Sequence, residues 1–121
     1  MALHGVNQSR LRVGDVACVV GCGPIGLLTL QVARIAGAGH VIAVEPDAGR
    51  RERALAVGAH AALAPGAELR EYLNDLTGGL RADIAFDCAG VPTTYTTGFP
   101  EARASVSVTS WNGHGSGLSV Q

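Results

Sequence analysis

The sequence predicts an α/β fold, a doubly wound parallel sheet of about five strands with helices on both faces. Short β-branched runs alternate with longer segments of helical period, which is typical of such a sheet. The first run, Val16–Val20, is apolar without interruption, as expected for a strand buried on both faces. The 121 residues include 17 glycines and 19 alanines, which indicates elements that pack closely through small side chains.

Five strands are predicted. In chain order they are Val16–Val20, His40–Val44, residues 61–64, residues 83–87 and residues 104–109. We expect all of them to be parallel, in the order 3-2-1-4-5, because two successive β-α-β units wind outward from the first strand. No sixth strand is predicted, so the fifth would be an unpaired edge that favours self-association. Residues 112–121 are rich in glycine, and we expect this tail to be loose.

Three helices are predicted between the strands. The first covers residues 24–36, with Pro24 in its first turn. Asp47 is the candidate N-cap of the second helix, which ends at Gly58. The third has apolar residues at helical spacing, namely Leu69, Tyr72, Leu73 and Leu76. Residues 91–103 contain two prolines and four threonines, so we expect only a short or broken helix there.

Composition excludes several classes of function. The formal net charge is −1, and no lysine accompanies the scattered arginines, so no basic face is available for nucleic acid. The longest apolar run, residues 16–28, is interrupted by glycines and is shorter than the ~18 residues of a membrane-spanning helix. Three cysteines are too few for a disulfide framework and favour a reducing cytoplasm. We expect Cys22 and Cys88 to be exposed at the carboxyl edge of the sheet and Cys18 to be buried.

A G-x-G-x-x-G pattern, formed by Gly21, Gly23 and Gly26, directly follows the first strand and opens a helix. In this context Gly21 permits a tight turn, Gly23 lets the backbone approach a diphosphate, and Gly26 lets the helix pack closely. A side chain at any of the three positions is expected to collide with its surroundings. Free N–H groups and the positive end of the helix dipole favour the diphosphate of a dinucleotide. The motif alone leaves open a glycine-rich turn without a ligand.

An acidic residue, Glu45, ends the second strand 19 residues after Gly26. There it would accept hydrogen bonds from the adenosine ribose hydroxyls and repel a 2′-phosphate, which predicts NAD rather than NADP. Arg50 is predicted to lie on the adenine side. Arg50 and Arg51 could instead recruit a 2′-phosphate or form a solvated face. Together, the glycines and Glu45 predict a Rossmann-type dinucleotide-binding domain.

Several segments extend this pattern into a family resemblance. They are residues 13–28, residues 41–46, Arg50, residues 56–59 and residues 82–90. With these segments the chain resembles the cofactor-binding domain of zinc-dependent medium-chain alcohol dehydrogenases, and it is most similar to 2,3-butanediol dehydrogenase-like and sorbitol dehydrogenase-like members. The resemblance implies an NAD-dependent oxidoreductase that transfers hydride between a secondary alcohol or diol and nicotinamide.

The resemblance also implies cofactor contacts after the fourth and fifth strands. Three residues after the fourth strand would line the ribose side, and three at the end of the fifth would approach the nicotinamide with backbone groups. The full predicted cofactor-binding set is Gly21, Gly23, Pro24, Ile25, Gly26, Glu45, Arg50, Cys88, Ala89, Gly90, Thr109, Ser110 and Trp111.

Zinc and the catalytic residues are expected elsewhere. In the family that the chain resembles, the zinc ligands belong to a separate domain that precedes this one, so we expect residues 1–121 to be a truncated cofactor-binding domain. No C-x-x-C or H-x-x-H pair occurs, and no metal site or catalytic residue is predicted on this chain. We expect the isolated chain to be inactive as a dehydrogenase.

Other functions stay open on the sequence alone. A non-catalytic dinucleotide-binding protein, or a vestigial fragment, would keep the glycine pattern without a reaction. A zinc-free quinone reductase-like enzyme would favour NADPH, which Glu45 opposes. A methyltransferase also combines a glycine loop with an acidic strand end, but Pro24 and the third glycine disfavour it.

Overall fold

The computed structural model describes residues 11–89, 99–108 and 118–120. Within them the chain forms a six-stranded sheet in the order β3-β2-β1-β4-β5-β6. The strands are β1 Val16–Val20, β2 His40–Val44, β3 Ala61–Leu63, β4 Ile84–Asp87, β5 Ser105–Val108 and β6 Leu118–Val120. The helices are α1 Pro24–Ile35, α2 Ala48–Ala56 and α3 Ala67–Thr77.

The first five strands are all parallel and confirm the predicted order 3-2-1-4-5. At the centre of the sheet, Cys18 of β1 lies opposite Ile42 of β2 and Ala85 of β4. Because the strands are parallel, the carboxyl ends of β1, β2 and β4 meet at one edge of the sheet. The strand order reverses at β1, and ligands of open α/β sheets bind at such a point.

The sixth strand is a correction to the sequence analysis, in which none was predicted. β6 pairs antiparallel with β5, with Val106 opposite Val120 and Val108 opposite Leu118. Three residues after a glycine-rich stretch are too few to show a strand pattern in the sequence, so this pairing was missed. β5 is therefore not the edge of the sheet, and self-association through a free β5 edge loses its basis. The rest of the tail, residues 112–117 and 121, lies outside the described residues.

The helices cover the two faces of the sheet, as a doubly wound fold requires. Side chains of β1 point alternately to the two faces. Ala17 and Val19 belong to the core that also contains Leu30 of α1 and Ala54 of α2. Cys18 and Val20 belong to the opposite core, with residues of α3.

The helices begin and end at the residues that the sequence predicts, within one or two positions. Pro24 occupies the first turn of α1, and Asp47 caps α2 by accepting a hydrogen bond from Arg50 N at 2.9 Å. α3 ends at Gly78, whose φ of 65° is the left-handed conformation that favours glycine. Most of the segment expected to hold a short or broken helix, residues 91–98, lies outside the described residues. Among the described helices, none is long and apolar enough to cross a membrane.

Candidate functional site

A cleft of about 420 Å³ opens at the carboxyl edge of β1, β2 and β4. Its walls come from the loop after β1, the start of α2 and the residues that follow β3 and β4. The lining residues are Val20, Gly21, Gly23, Pro24, Val44, Glu45, Pro46, Arg50, Pro65, Cys88 and Ala89. The cleft therefore lies at the topological switch point and is lined by Gly21, Gly23 and Glu45, from which a dinucleotide was predicted.

Two glycines of the loop are required by the fold itself. Gly21 has φ of 89°, and a Cβ added there would come within 2.7 Å of Ala89 Cα. A Cβ on Gly26 would overlap the carbonyl oxygen of Gly21, so α1 can approach the loop only with glycine at this position. These contacts confirm the tight-turn and close-packing roles expected for the two residues.

Gly23 differs from the other two glycines. A Cβ added there meets no protein atom within 4 Å, so the collision expected at Gly23 is not with the protein and stays a prediction about a bound diphosphate. Its φ of −75° is also open to any residue. Because Gly23 lines the cleft, the space in front of it is available to a ligand that approaches the backbone closely.

The start of α1 presents backbone donors to this space. Gly23 is the N-cap residue and makes no side-chain capping hydrogen bond, and Pro24 follows it in the first turn. The first N–H groups of a helix have no partners within the helix, and the helix dipole places partial positive charge there. This end of the cleft is therefore suited to an anionic group such as a diphosphate.

The acidic residue at the end of β2 is buried against the loop. Glu45 is 5% exposed. Its Oε1 accepts a hydrogen bond from Cys22 N at 2.8 Å, and its Oε2 accepts one from Asp47 N at 3.0 Å. Two carboxylate oxygens offer about four acceptor sites in all, so capacity remains on the side that faces the cleft.

Arg50 and Arg51 differ in whether their guanidinium groups are held by the backbone. Arg51 Nη1 donates to the carbonyl oxygens of Glu45 at 2.9 Å and Pro46 at 2.7 Å, which fixes this guanidinium on the backbone. The Arg50 side chain is 52% exposed, lines the cleft and has Nη1 3.9 Å from Glu45 Oε1. Arg50 is therefore the arginine available to a ligand.

The cysteines differ in part from the prediction. Cys18 is fully buried, as expected, and burial, followed by the charge of Glu101, raises its pKa to about 12. Cys22 was expected to be exposed, but it is fully buried, because its side chain packs into the core beneath the loop. Burial, with the neighbouring Glu45 charge, raises the pKa of Cys22 to about 11.

Cys88 lines the cleft but is half-buried, and its Sγ lies 3.6 Å from Thr29 Oγ1 as a hydrogen-bond donor. Burial is the main cause that raises the pKa of Cys88 to about 12. Neither Cys22 nor Cys88 therefore provides a reactive thiolate near neutral pH. Next to Cys88, the N–H of Ala89 donates to Asp87 Oδ1 at 3.1 Å and so shapes the turn after β4.

The structure brings seven predicted cofactor residues to the cleft and places others differently. Those at the cleft are Gly21, Gly23, Pro24, Glu45, Arg50, Cys88 and Ala89. Ile25 instead packs against the core, and Gly26 is buried beneath the loop. Four predicted residues, Gly90, Thr109, Ser110 and Trp111, lie outside the described residues.

Sequence reasoning missed four lining residues. They are Val20, Val44, Pro46 and Pro65. A signal for them exists in the sequence, since each ends or closely follows a parallel strand whose carboxyl end faces the site.

No metal centre is evident in the part of the chain that the structure describes. Across residues 11–89, 99–108 and 118–120, no three His, Cys, Asp or Glu side chains come together as metal ligands. A catalytic zinc has three protein ligands, so the described residues do not fit one. That the whole chain lacks a metal site stays a prediction.

Comparison with known proteins identifies relatives of the chain. The family model described as zinc-binding dehydrogenase matches residues 24–104. The (R,R)-butanediol dehydrogenase of Bacillus subtilis is 39% identical over 95 residues, which are 76% of this chain and 27% of that protein.

Two solved structures show the same fold. The crystal structure of 2R,3R-butanediol dehydrogenase from Bacillus subtilis matches with a TM-score of 0.77 and 34% identity, covering 92% of this chain and 33% of that one. A zinc-binding dehydrogenase from Sinorhizobium meliloti, bound to NADP, matches with a TM-score of 0.68 and 38% identity over 77% of this chain and 28% of that one. The chain spans about a quarter of the length of the curated relatives it matches.

Proposed function

The chain belongs to the zinc-binding dehydrogenase family, and we propose that its cleft binds NAD as the cofactor-binding part of an alcohol or diol dehydrogenase. The observation that carries the proposal is the open space in front of Gly23, which lies between the start of α1 and Glu45. A diphosphate at Gly23 would receive backbone hydrogen bonds, and the adenosine ribose would extend toward Glu45.

The preference for NAD over NADP rests on the charge at the ribose end of the cleft. Glu45 is buried and acidic, so a 2′-phosphate beside it would bring two negative groups together with little water between them. Arg50 is the opposing group, because its half-exposed guanidinium lies near Glu45 and could turn toward a phosphate. Since the carboxylate is held in place by two backbone N–H groups, we propose that it decides the preference.

The reaction proposed for the whole protein is hydride transfer between a secondary alcohol or diol and nicotinamide. It is supported by the similarity to proteins named butanediol dehydrogenase. Bound NAD supplies the hydride acceptor, and this chain's residues bind and orient it. We propose that Cys88, Ala89 and Gly90 line the ribose side of the cofactor and that Thr109, Ser110 and Trp111 approach the nicotinamide with backbone groups. A cytoplasmic location is also proposed, supported by three free cysteines.

Titration of the purified chain with NADH, NADPH and S-adenosylmethionine tests the proposal. We expect NADH to bind most tightly and S-adenosylmethionine not to bind. Gly23→Ala should weaken NADH binding about tenfold or more, or ~1.4 kcal/mol, because its methyl group would occupy the space that the diphosphate needs. Thermal unfolding of the same variant is the control, and it should match that of the unsubstituted chain. Absence of NADH binding, or tighter binding of S-adenosylmethionine, would contradict the proposal.

A further inference from the structure

We propose that Glu45 is a positioning residue that holds the glycine loop in its binding conformation, a role separate from any contact with the ribose. The inference rests on the proposed function, because it concerns how the loop is kept ready for a diphosphate. A carboxylate that only accepts ribose hydroxyls would face the cleft, with its oxygens free in the absence of nucleotide.

The hydrogen bonds of Glu45 are directed into the protein instead. Oε1 accepts from the N–H of Cys22, the residue between Gly21 and Gly23, at 2.8 Å. Cys22 is fully buried and Glu45 is 5% exposed, so water cannot easily replace this bond. Oε2 accepts from Asp47 N, in the turn that begins α2. One carboxylate therefore ties the loop after β1 to the turn after β2.

The position of Cys22 explains why this bond matters to binding. On one side of it, Gly21 N donates to Val44 O at 2.8 Å and continues the pairing between β1 and β2. On the other side, Gly23 begins α1 without a side-chain cap. The bond from Cys22 to Glu45 thus fixes the Gly21–Cys22 peptide, one peptide unit before Gly23, which lines the cleft.

Substitution by glutamine separates the two roles. A glutamine side chain has one acceptor oxygen and one donor NH₂ group, so it can accept only one of the two backbone N–H groups and turns a donor toward the other. The loop would then lose its anchor, or would keep it only through a neutral and therefore weaker acceptor while the turn before α2 loses its bond. A buried donor left without an acceptor is costly, and bonds to charged acceptors are the stronger ones. Binding of any diphosphate should therefore weaken, whether or not the ligand has ribose hydroxyls.

The experiment compares ADP with 2′,3′-dideoxy-ADP, which has the same diphosphate and no ribose hydroxyls. Their affinities are measured by calorimetry for the unsubstituted chain, for Glu45→Gln and for the matched control Glu52→Gln, an exposed residue of α2. We expect Glu45→Gln to weaken both nucleotides by a similar factor, about tenfold. Glu52→Gln should change neither affinity. A loss confined to ADP, with dideoxy-ADP unchanged, would overturn the positioning role.

Amide hydrogen exchange of the unsubstituted chain tests the same bond without nucleotide and without a variant. We expect the Cys22 amide to exchange more slowly than the Gly23 amide. The Glu45→Gln substitution should increase the exchange rate of the Cys22 amide. Equal exchange at Cys22 and Gly23 in the unsubstituted chain would overturn the inference, even if the variant fails to fold. Failure of the chain to bind ADP or NADH would reject the proposed function instead, while the exchange rates would still decide whether Glu45 anchors the loop.

Discussion

At the scale of single residues, glycine is needed for different physical reasons at different positions of one motif. Gly26 is required because its neighbour, the carbonyl oxygen of Gly21, occupies the place of a Cβ. Gly23 has open space and an ordinary φ, so nothing in the described protein requires glycine there. The fold therefore explains Gly26, whereas the proposed diphosphate would explain Gly23.

Alanine substitutions should separate these two reasons. Gly26→Ala should lower the free energy of unfolding by about 1–3 kcal/mol, because the added methyl group forces α1 away from the loop. Gly23→Ala should change it by no more than about 0.5 kcal/mol, because its methyl group meets no protein atom. Urea denaturation followed by circular dichroism measures both. Equal destabilisation of the two variants would show that Gly23 is also a packing residue.

Reversing the charge at the ribose end should alter cofactor preference. Glu45→Arg removes an acceptor and a repulsive charge, so the ratio of NADPH to NADH affinity should rise. Because the same change breaks the bonds to Cys22 and Asp47, both affinities should fall in absolute terms. Fluorescence titration with the two reduced cofactors gives the ratio, and Glu52→Arg on the exposed side of α2 is the control. If the ratio does not change, Glu45 does not contribute to the choice between the cofactors.

The sequence predicted which residues reach the cleft better than it predicted what they do there. The spacing of Gly21, Gly26 and Glu45 follows from backbone geometry, which the pattern encodes directly. The roles of Arg50 and Arg51 depend on side-chain direction in one turn of α2, and adjacent residues of a helix point about 100° apart. The burial of Cys22 was missed for a similar reason, since a loop position in the sequence does not reveal which side chain turns into the core.

At the scale of elements, β2 begins with an aromatic cluster far from the cleft. His40 and His60 stack with their ring centroids 4.7 Å apart, and His40 Nε2 lies 2.8 Å from Tyr72 Oη. Val41 N donates to His60 Nδ1 at 3.0 Å, so this nitrogen must be unprotonated. The cluster lies at the amino edge of the sheet. It joins the start of β2, through His40, to α3, through Tyr72, and to His60, the residue that precedes β3.

This cluster should make the chain sensitive to mild acid. Burial, reinforced by the neighbouring His60, lowers the pKa of His40 from its ordinary 6.5. The unfolded chain therefore binds a proton at His40 before the folded chain does. The free energy of unfolding should be constant above about pH 7 and should decrease as the pH falls below 6.5, the ordinary pKa of histidine. Urea denaturation at several pH values between about 8 and 5 measures this, in a range where most carboxylates stay ionised.

The control for the acid sensitivity is His40→Gln, which removes the titrating ring. The decrease in stability toward low pH should be smaller in this variant than in the unsubstituted chain. An identical pH dependence would assign the effect to other groups.

Elements with local sequence signals were predicted within one or two residues, whereas β6 was missed. The N-cap Asp47 and the left-handed Gly78 define their helix ends through backbone requirements that few residues satisfy. β6 has no such signal, because three residues gain strand structure only from pairing with β5.

At the scale of the whole molecule, the described sheet has short strands at both edges. β3 and β6 contain three residues each, which limits the length of unpaired backbone that another chain can meet. Between them, four strands carry the two cores and bring the cleft residues together. The sequence predicted this centre, since parallel pairing and right-handed crossovers leave few arrangements. The pairing of β6 with β5 was not predictable in the same way, because no topological rule requires it.

Removal of residues 118–121 should make the chain self-associate. This truncation deletes β6 and uncovers the edge of β5, in which Val106 and Val108 alternate with Ser105 and Ser107 and no lysine or proline interrupts pairing. Light scattering should report a larger mass for the truncated chain than for the full chain at equal concentration, with circular dichroism confirming that both are folded. Ser107→Lys in the truncated chain is the control, since a charge on the free edge should restore the smaller mass. If the truncated chain has the same mass as the full chain, β6 does not protect β5, and the association of this protein must be decided at another surface.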